Sequence, residues 1–93
     1  MALTVVLPSQ LRELAGGRGT IELGAHPDTV GGALEELRHE YPAIYDRILT
    51  ERHEIRPHVN LFVGRNDIRW SGGLETPVPE GSELVVIPSV SGG

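Results

Sequence analysis

Gly81-Ser82-Glu83-Leu84-Val85-Val86-Ile87-Pro88-Ser89-Val90-Ser91-Gly92-Gly93 is the stretch on which the fold turns. A turn gives way to four consecutive apolar residues, Leu84 to Ile87, then to Pro88 and a run of small residues. The apolar run is too short for a helix and rich in β-branched side chains, so it reads as a strand buried in a sheet. Ser89 to Gly93 are too small or too flexible to add to a core. The reading is a central strand (within a domain spanning 1–88) that launches a short tail, 89–93, ending on the α-carboxylate of Gly93. That carboxylate is the candidate reactive group.

Working back from that strand, Ala2 to Leu7 (ALTVVL) forms another, with Leu3, Val5 and Leu7 on one face and Thr4 and Val6 on the other. Pro8 ends it. Leu11 and Leu14 suggest one short helical turn before Gly16-Gly17, and Thr20 to Leu23 returns as a second strand, paired with the first as a hairpin with a long loop. Pro27-Asp28-Thr29 starts a helix, with Asp28 the better N-cap and Thr29 the second choice. Val30, Ala33, Leu34, Leu37 and Tyr41 then lie on one helical face. Gly31-Gly32 weakens the first turn by up to about 2 kcal/mol relative to two alanines, for which close packing of that turn on the sheet is a reason. Pro42 ends the helix, and Ile44, Ile48 and Leu49 mark a short second helical piece. Glu51 to Arg56 is a polar surface loop, His58 to Gly64 a strand, Ile68 to Trp70 a short strand, and Ser71-Gly72-Gly73 a loop.

The order is strand, strand, helix, strand, short strand, strand. A helix crossing between two hairpin-like units gives an α+β fold of the ubiquitin-like β-grasp type, a mixed sheet of four to five strands with one main helix on one face. The last strand, apolar on both sides, belongs in the middle beside the first.

Composition narrows the function. The 93 residues make one domain, cysteine is absent and the net charge is -5. No disulfide scaffold, zinc knuckle or iron–sulfur cluster can form, and the lack of cysteine fits a reducing cytosol. The charge and the absence of a basic stripe argue against nucleic acid. Leu3 to Leu7 is too short for a secretory leader, and nothing approaches the roughly 20 apolar residues of a membrane span. Arginines 38, 47, 52, 56, 65 and 69 crowd the middle, whereas Glu75, Glu80 and Glu83 precede the tail. Most of these read as solvated surface; a second reading has the acidic flank steering the tail toward a basic partner. All eight basic side chains are arginine. Without lysine the chain cannot build isopeptide-linked chains on itself.

Four Gly-Gly pairs occur. Gly16-Gly17, Gly31-Gly32 and Gly72-Gly73 are turn or packing devices. Gly92-Gly93 has nothing after it, so it is either a frayed end or a functional one. A carboxylate donates its acyl group only after conversion to a mixed anhydride such as an acyl-adenylate. Residues without Cβ thread the narrow channel of an adenylating enzyme and leave the carbonyl open to sulfur or nitrogen nucleophiles. On a β-grasp fold the ending therefore points to function. His26, His39, His53 and His58 lack metal-ligand spacing, and neither a catalytic triad nor a phosphate loop can be argued. The protein is expected to be a substrate of enzymes and not an enzyme itself.

If Leu84 and Val86 face the helix, Val85 and Ile87 share the outer sheet face with Phe62. A single helix covers one face of a sheet, so the expected outcome is an exposed apolar docking patch; loops over that face, or reversed parity, are the alternatives. Trp70 could join the patch or close the core edge.

HVNLFVGRNDIRWSGGL (58–74) and PEGSELVVIPSVSGG (79–93), with the Pro79-to-Ser82 turn and the Pro88-to-Gly93 ending, resemble the ThiS/MoaD family of ubiquitin-like sulfur carriers, in particular its actinobacterial CysO-type branch. The resemblance implies an E1-like activating enzyme of the MoeB/ThiF type that uses ATP to adenylate the Gly93 carboxylate. A sulfur donor would convert it to a thiocarboxylate, a transient covalent state with no bound cofactor or metal. An acceptor enzyme of cysteine or other sulfur-metabolite biosynthesis would then take the sulfur. Gly92 would permit access, and Phe62, Val85, Ile87 and Val90 would dock partners. The family also implies two alternatives, the small subunit of molybdopterin synthase and a ubiquitin-like protein modifier.

Overall fold

The computed structural model describes residues 3–24 and 27–88. The elements run β1 (Leu3–Val6), a 3-10 helix (Ser9–Ala15), β2 (Thr20–Leu23), α1 (Val30–Glu40), α2 (Pro42–Ile48), β3 (Val59–Val63), β4 (Asn66–Asp67), two short 3-10 turns (Ile68–Trp70 and Gly73–Glu75) and β5 (Glu83–Pro88). They build one five-stranded sheet of order β2-β1-β5-β3-β4. β1 pairs antiparallel with β2 and parallel with β5, and β3 runs antiparallel to both β5 and β4. The last strand is central, beside the first, as its two-sided apolar character requires.

Alternation along the strands builds the core. Leu3, Val5, Leu7, Ile21, Leu23, Leu61, Leu84 and Val86 are buried on the face covered by Val30, Ala33, Leu34 and Leu37 of α1 and Ile44 and Ile48 of α2. Tyr41 closes α1 by donating its N–H to the Leu37 carbonyl at 2.7 Å, and Pro42 opens α2, where its missing N–H costs no helical hydrogen bond. The buried Tyr45 hydroxyl is hydrogen-bonded to Nδ1 of His53, whose backbone lies in the left-handed region (φ 62°). This bond ties the 51–56 loop to α2 and assigns His53 a structural partner.

Four local expectations change. The N-cap of α1 is Thr29: its Oγ1 accepts from the Gly32 N–H at 3.2 Å, whereas the Asp28 carbonyl accepts from Val78 N–H at 2.8 Å. The glycine turn packs against a loop and not against the sheet, because a Cβ on Gly31 would stand 3.1 Å from the Leu74 carbonyl oxygen. Ile68–Trp70 is a 3-10 turn and not a strand, and the short strand lies earlier, at Asn66–Asp67. The cause is the Asp67 side chain, which accepts from the Arg69 N–H at 2.9 Å and bends the chain out of the ladder. The helical segment after Pro8 is longer than one turn, and it splits its two leucines: Leu11 is buried and Leu14 exposed.

Candidate functional site

The strand register fixes what the outer face presents. Val6 lies opposite Val85 on β5, and Val85 lies opposite Phe62 on β3, so three apolar side chains form one row across three adjacent strands. Thr20 extends the row on β2 and Asp67 on β4. One step toward the end of β5, Ile87 stands opposite Asn60. Leu84 is fully buried and Val86 nearly so, while Val85 and Phe62 are half-buried and Ile87 is 43% exposed. Phe62, Val85 and Ile87 therefore share the uncovered face, with the parity that was expected. Val6 is a fourth member that sequence reasoning left out. Its place on the same strand face as Thr4, away from the core, was readable, but the parallel register bringing it to Val85 was not.

The row ends in a charged pair. Arg69 donates from Nη2 to Asp67 Oδ2 at 2.7 Å and from Nε to both carboxylate oxygens at 3.2 Å. This guanidinium, with the Arg69 backbone N–H, holds the Asp67 carboxyl below its ordinary value. Arg69 also stands 6.0 Å from the ring centre of Trp70. Trp70 does not close the core edge; it is 83% exposed.

β5 runs from Glu83, beside Thr4, to Pro88, beside Val59. The chain thus continues toward Gly93 from the end of the sheet where β1 finishes and β3 begins. Residues 89–93, including Val90, Gly92 and Gly93, lie outside the described residues. Around Pro88 a groove of about 260 Å³ is lined by Leu11, Val59 and Val86, with Arg47 and His58 also on its walls. The acidic stretch that precedes the tail in sequence lies elsewhere. Glu83 starts β5 at its opposite end, and Thr76, Pro77, Pro79 and Ser82 line a cleft with Val63, Gly64 and Asn66 at that same far end. A strand of this length separates them from Pro88 by about 17 Å. The acidic flank is adjacent to the tail in sequence and remote from its root in space.

His39 lies on α1 and His53 and His58 on the connection between α2 and β3, and among the described residues no group of three or more His, Asp or Glu could hold a metal ion; His26 lies outside them. No helix among these residues is long and apolar enough to cross a membrane.

A model of the ThiS family matches residues 5–93. The chain belongs to the ThiS family. It is 34% identical over 95 residues to the sulfur carrier protein CysO of Mycobacterium tuberculosis, covering all of both chains. It is 36% identical over 86 residues to small archaeal modifier protein 1 of Haloferax volcanii, covering 91% of this chain and 93% of that one. In the solved structure of the Amycolatopsis orientalis BexX/CysO complex, one chain matches with a TM-score of 0.85 at 33% identity, over 99% of this chain and all of the other. The β-grasp fold read from the order of the elements, and the likeness to CysO-type proteins, strongest in sequence over 58–93, hold over the whole chain. Its relatives carry two functional names, sulfur carrier and protein modifier.

Proposed function

We propose that this ThiS-family chain is a sulfur carrier whose Gly93 carboxylate is the working group. An E1-like enzyme of the MoeB/ThiF type adenylates it: a carboxylate oxygen attacks the α-phosphorus of ATP and pyrophosphate leaves. A sulfur nucleophile then displaces AMP at the acyl carbon, giving a thiocarboxylate. An acceptor enzyme, of cysteine or other sulfur-metabolite biosynthesis, takes the sulfur. The chain supplies no catalytic side chain and binds no cofactor; it presents the carboxylate, and Gly92 leaves the acyl carbon accessible. A reducing cytosol suits an exposed thiocarboxylate. The observation that carries the reading is the placement of β5. The central strand is held by neighbours on both sides and ends at Pro88, and Ser89 to Gly93 follow it directly in sequence. Whole-length likeness to a sulfur carrier supports it.

The uncovered row of Phe62, Val85 and Ile87, with Val6, is the proposed docking patch, and Val90 its extension along the tail. Half-exposed apolar side chains gathered on one face cost hydration free energy in the free protein that a partner recovers by covering them. ATP–pyrophosphate exchange tests the activation step. Exchange by the cognate activating enzyme that depends on this chain supports the reading, and no chain-dependent exchange contradicts it.

The modifier reading has its own support in the 36% identity to a small archaeal modifier protein. It predicts conjugates of higher mass on target lysines when the chain, activating enzyme and cell extract are combined. A molybdopterin synthase subunit would instead copurify in a stable complex with a larger partner.

A further inference from the structure

We propose that the open edge of β3 at Val59–Leu61 is a docking site for an extended segment of a partner protein, which joins the sheet as a further strand. This goes beyond the carrier reading and does not rest on Gly93.

The two sides of β3 are paired to different lengths. β5 runs against it from Val59 to Val63, whereas β4 meets it only at Phe62 and Val63. β4 stops there because the Asp67 side chain accepts from the Arg69 N–H at 2.9 Å and bends the chain into the Ile68–Trp70 turn. On that side Val59, Asn60 and Leu61 are left without a strand partner among the described residues. Main-chain groups alternate between the two sides of a strand. Gly64 donates its N–H to the Glu83 carbonyl of β5 at 2.9 Å, so Phe62 and Asn60, of the same parity, also turn toward β5. Leu61 and Val59 turn the other way. The Val59 N–H is taken by the Arg56 carbonyl at 3.0 Å, so the edge offers the Val59 carbonyl as acceptor and the Leu61 N–H as donor. An incoming strand engages such a pair with its own main chain, which a helix cannot do.

A groove of about 270 Å³ opens at the same place. Ile55, Pro57 and Ile68 wall it beside Val59, Asn60 and Leu61, and Arg56 and Arg69 complete the lining. Residues opposite each other on neighbouring strands share a face. A residue of the added strand opposite Leu61 therefore points to the core side, where Ile68 is buried and Ile55 packs against the core. A residue opposite Asn60 lies on the outer face, where Ile87 is the Asn60 neighbour on β5. The occupant is thus an extended segment with a branched aliphatic residue turned inward between polar ones. It carries no Lys or Arg there, since Arg56 and Arg69 would repel them. A second copy of the chain fits less well, because it would bring a second Arg56 and Arg69 to the same junction. The edge also borders the Phe62–Val85 row, so a partner covering that row reaches it without a break.

The experiment is a titration of the isotope-labelled full chain with the capped peptide acetyl-Thr-Thr-Val-Thr-Thr-amide, followed by amide chemical shifts and hydrogen exchange. In the free chain the Leu61 amide should exchange faster than those of Asn60 and Phe62, and millimolar peptide should slow it. Asn60, Leu61 and Ile68 should shift, and Thr20 to Leu23 on the opposite edge should not. Of two peptides N-methylated on alternate residues, one should lose the response about tenfold and the other keep it, because only one side of the added strand is bonded. Ile55→Ala, checked for an unchanged melting temperature, should weaken the response about fivefold by removing a groove wall. A Leu61 amide as protected in the free chain as its neighbours, no shift at millimolar peptide, equal shifts along β2, equal effects of the two methylated peptides, or an undiminished response in Ile55→Ala would each overturn the proposal. Shifts of the same amides on concentrating the chain alone, with a matching dimer in sedimentation, would overturn it in favour of a second copy. None of these readouts needs an activating enzyme, so they succeed or fail separately from the carrier reading.

Discussion

The two faces of β5 are made of the same kind of residue and meet different fates. Leu84 and Val86 are buried under α1 and α2, and Val85 and Ile87, one residue along in each case, stand on a face that no helix covers. A period of two separates them completely. The inner pair belongs to the folding of the domain; the outer pair, with Phe62 and Val6, is apolar surface outside the core and forms the proposed docking patch. Hydrophobicity alone therefore says little about role in this strand, and parity decides it.

The largest test of that contrast is truncation. Leu84→Ala leaves a cavity in a fully buried site and should cost about 2–5 kcal/mol in urea unfolding, whereas Ile87→Ala should stay within about 0.5 kcal/mol. Equal losses at the two positions would abolish the distinction. Next, Ile87→Asp puts a charge in the proposed patch. It should leave the melting temperature nearly unchanged and weaken binding to the activating enzyme by about 10–30-fold; undiminished affinity would remove Ile87 from the docking surface. A smaller effect concerns the layer over the inner face. Thr29→Ala should lose about 1 kcal/mol through the missing cap, and Asp28→Ala less, reversing the order read from sequence. The smallest concerns the pair that closes the outer row. Arg69 lowers the Asp67 carboxyl from its ordinary value of 3.8, so the pair stabilises the fold above that pH and its contribution disappears as pH falls through the lower folded value. Asp67→Asn should therefore show a slight deficit in melting temperature at neutral pH that closes on acidification below about pH 4. A deficit independent of pH would mean that the pair contributes through shape and not through charge.

Much of this architecture was legible in the chain. The unbroken Leu84-to-Ile87 run demanded a central strand, and the spacing of Val30, Ala33, Leu34 and Leu37 demanded a helix on one side of it. Those two signals settle the β-grasp order, since both are enforced by burial of many side chains at once. Features set by one or two hydrogen bonds were not legible. Thr29 and Asp28 are both good caps in isolation, and the choice follows from Val78 donating to the Asp28 carbonyl, a contact made some fifty residues away in sequence. The turn at Ile68 follows from the Asp67 side chain outcompeting the ladder. Charge was the least legible property of the site. Glu75, Glu80 and Glu83 sit close to the tail in sequence, yet β5 carries the chain across the whole sheet before the tail begins. The groove at Pro88 is walled instead by Arg47 and His58, both distant from it in sequence. Gly93 is proposed from the chemistry of a carboxylate without side chains around it, and that argument rests on the sequence alone.

The central claim, that the Gly93 carboxylate carries sulfur, is tested most directly by intact-mass measurement after incubation with the activating enzyme, ATP and a sulfide source. The account predicts a mass gain equal to one oxygen replaced by sulfur, present in the full chain and in Ile87→Ala at high enzyme concentration, and abolished by deletion of Gly93. An unchanged mass in the full chain, or the same gain after Gly93 is deleted, would contradict it.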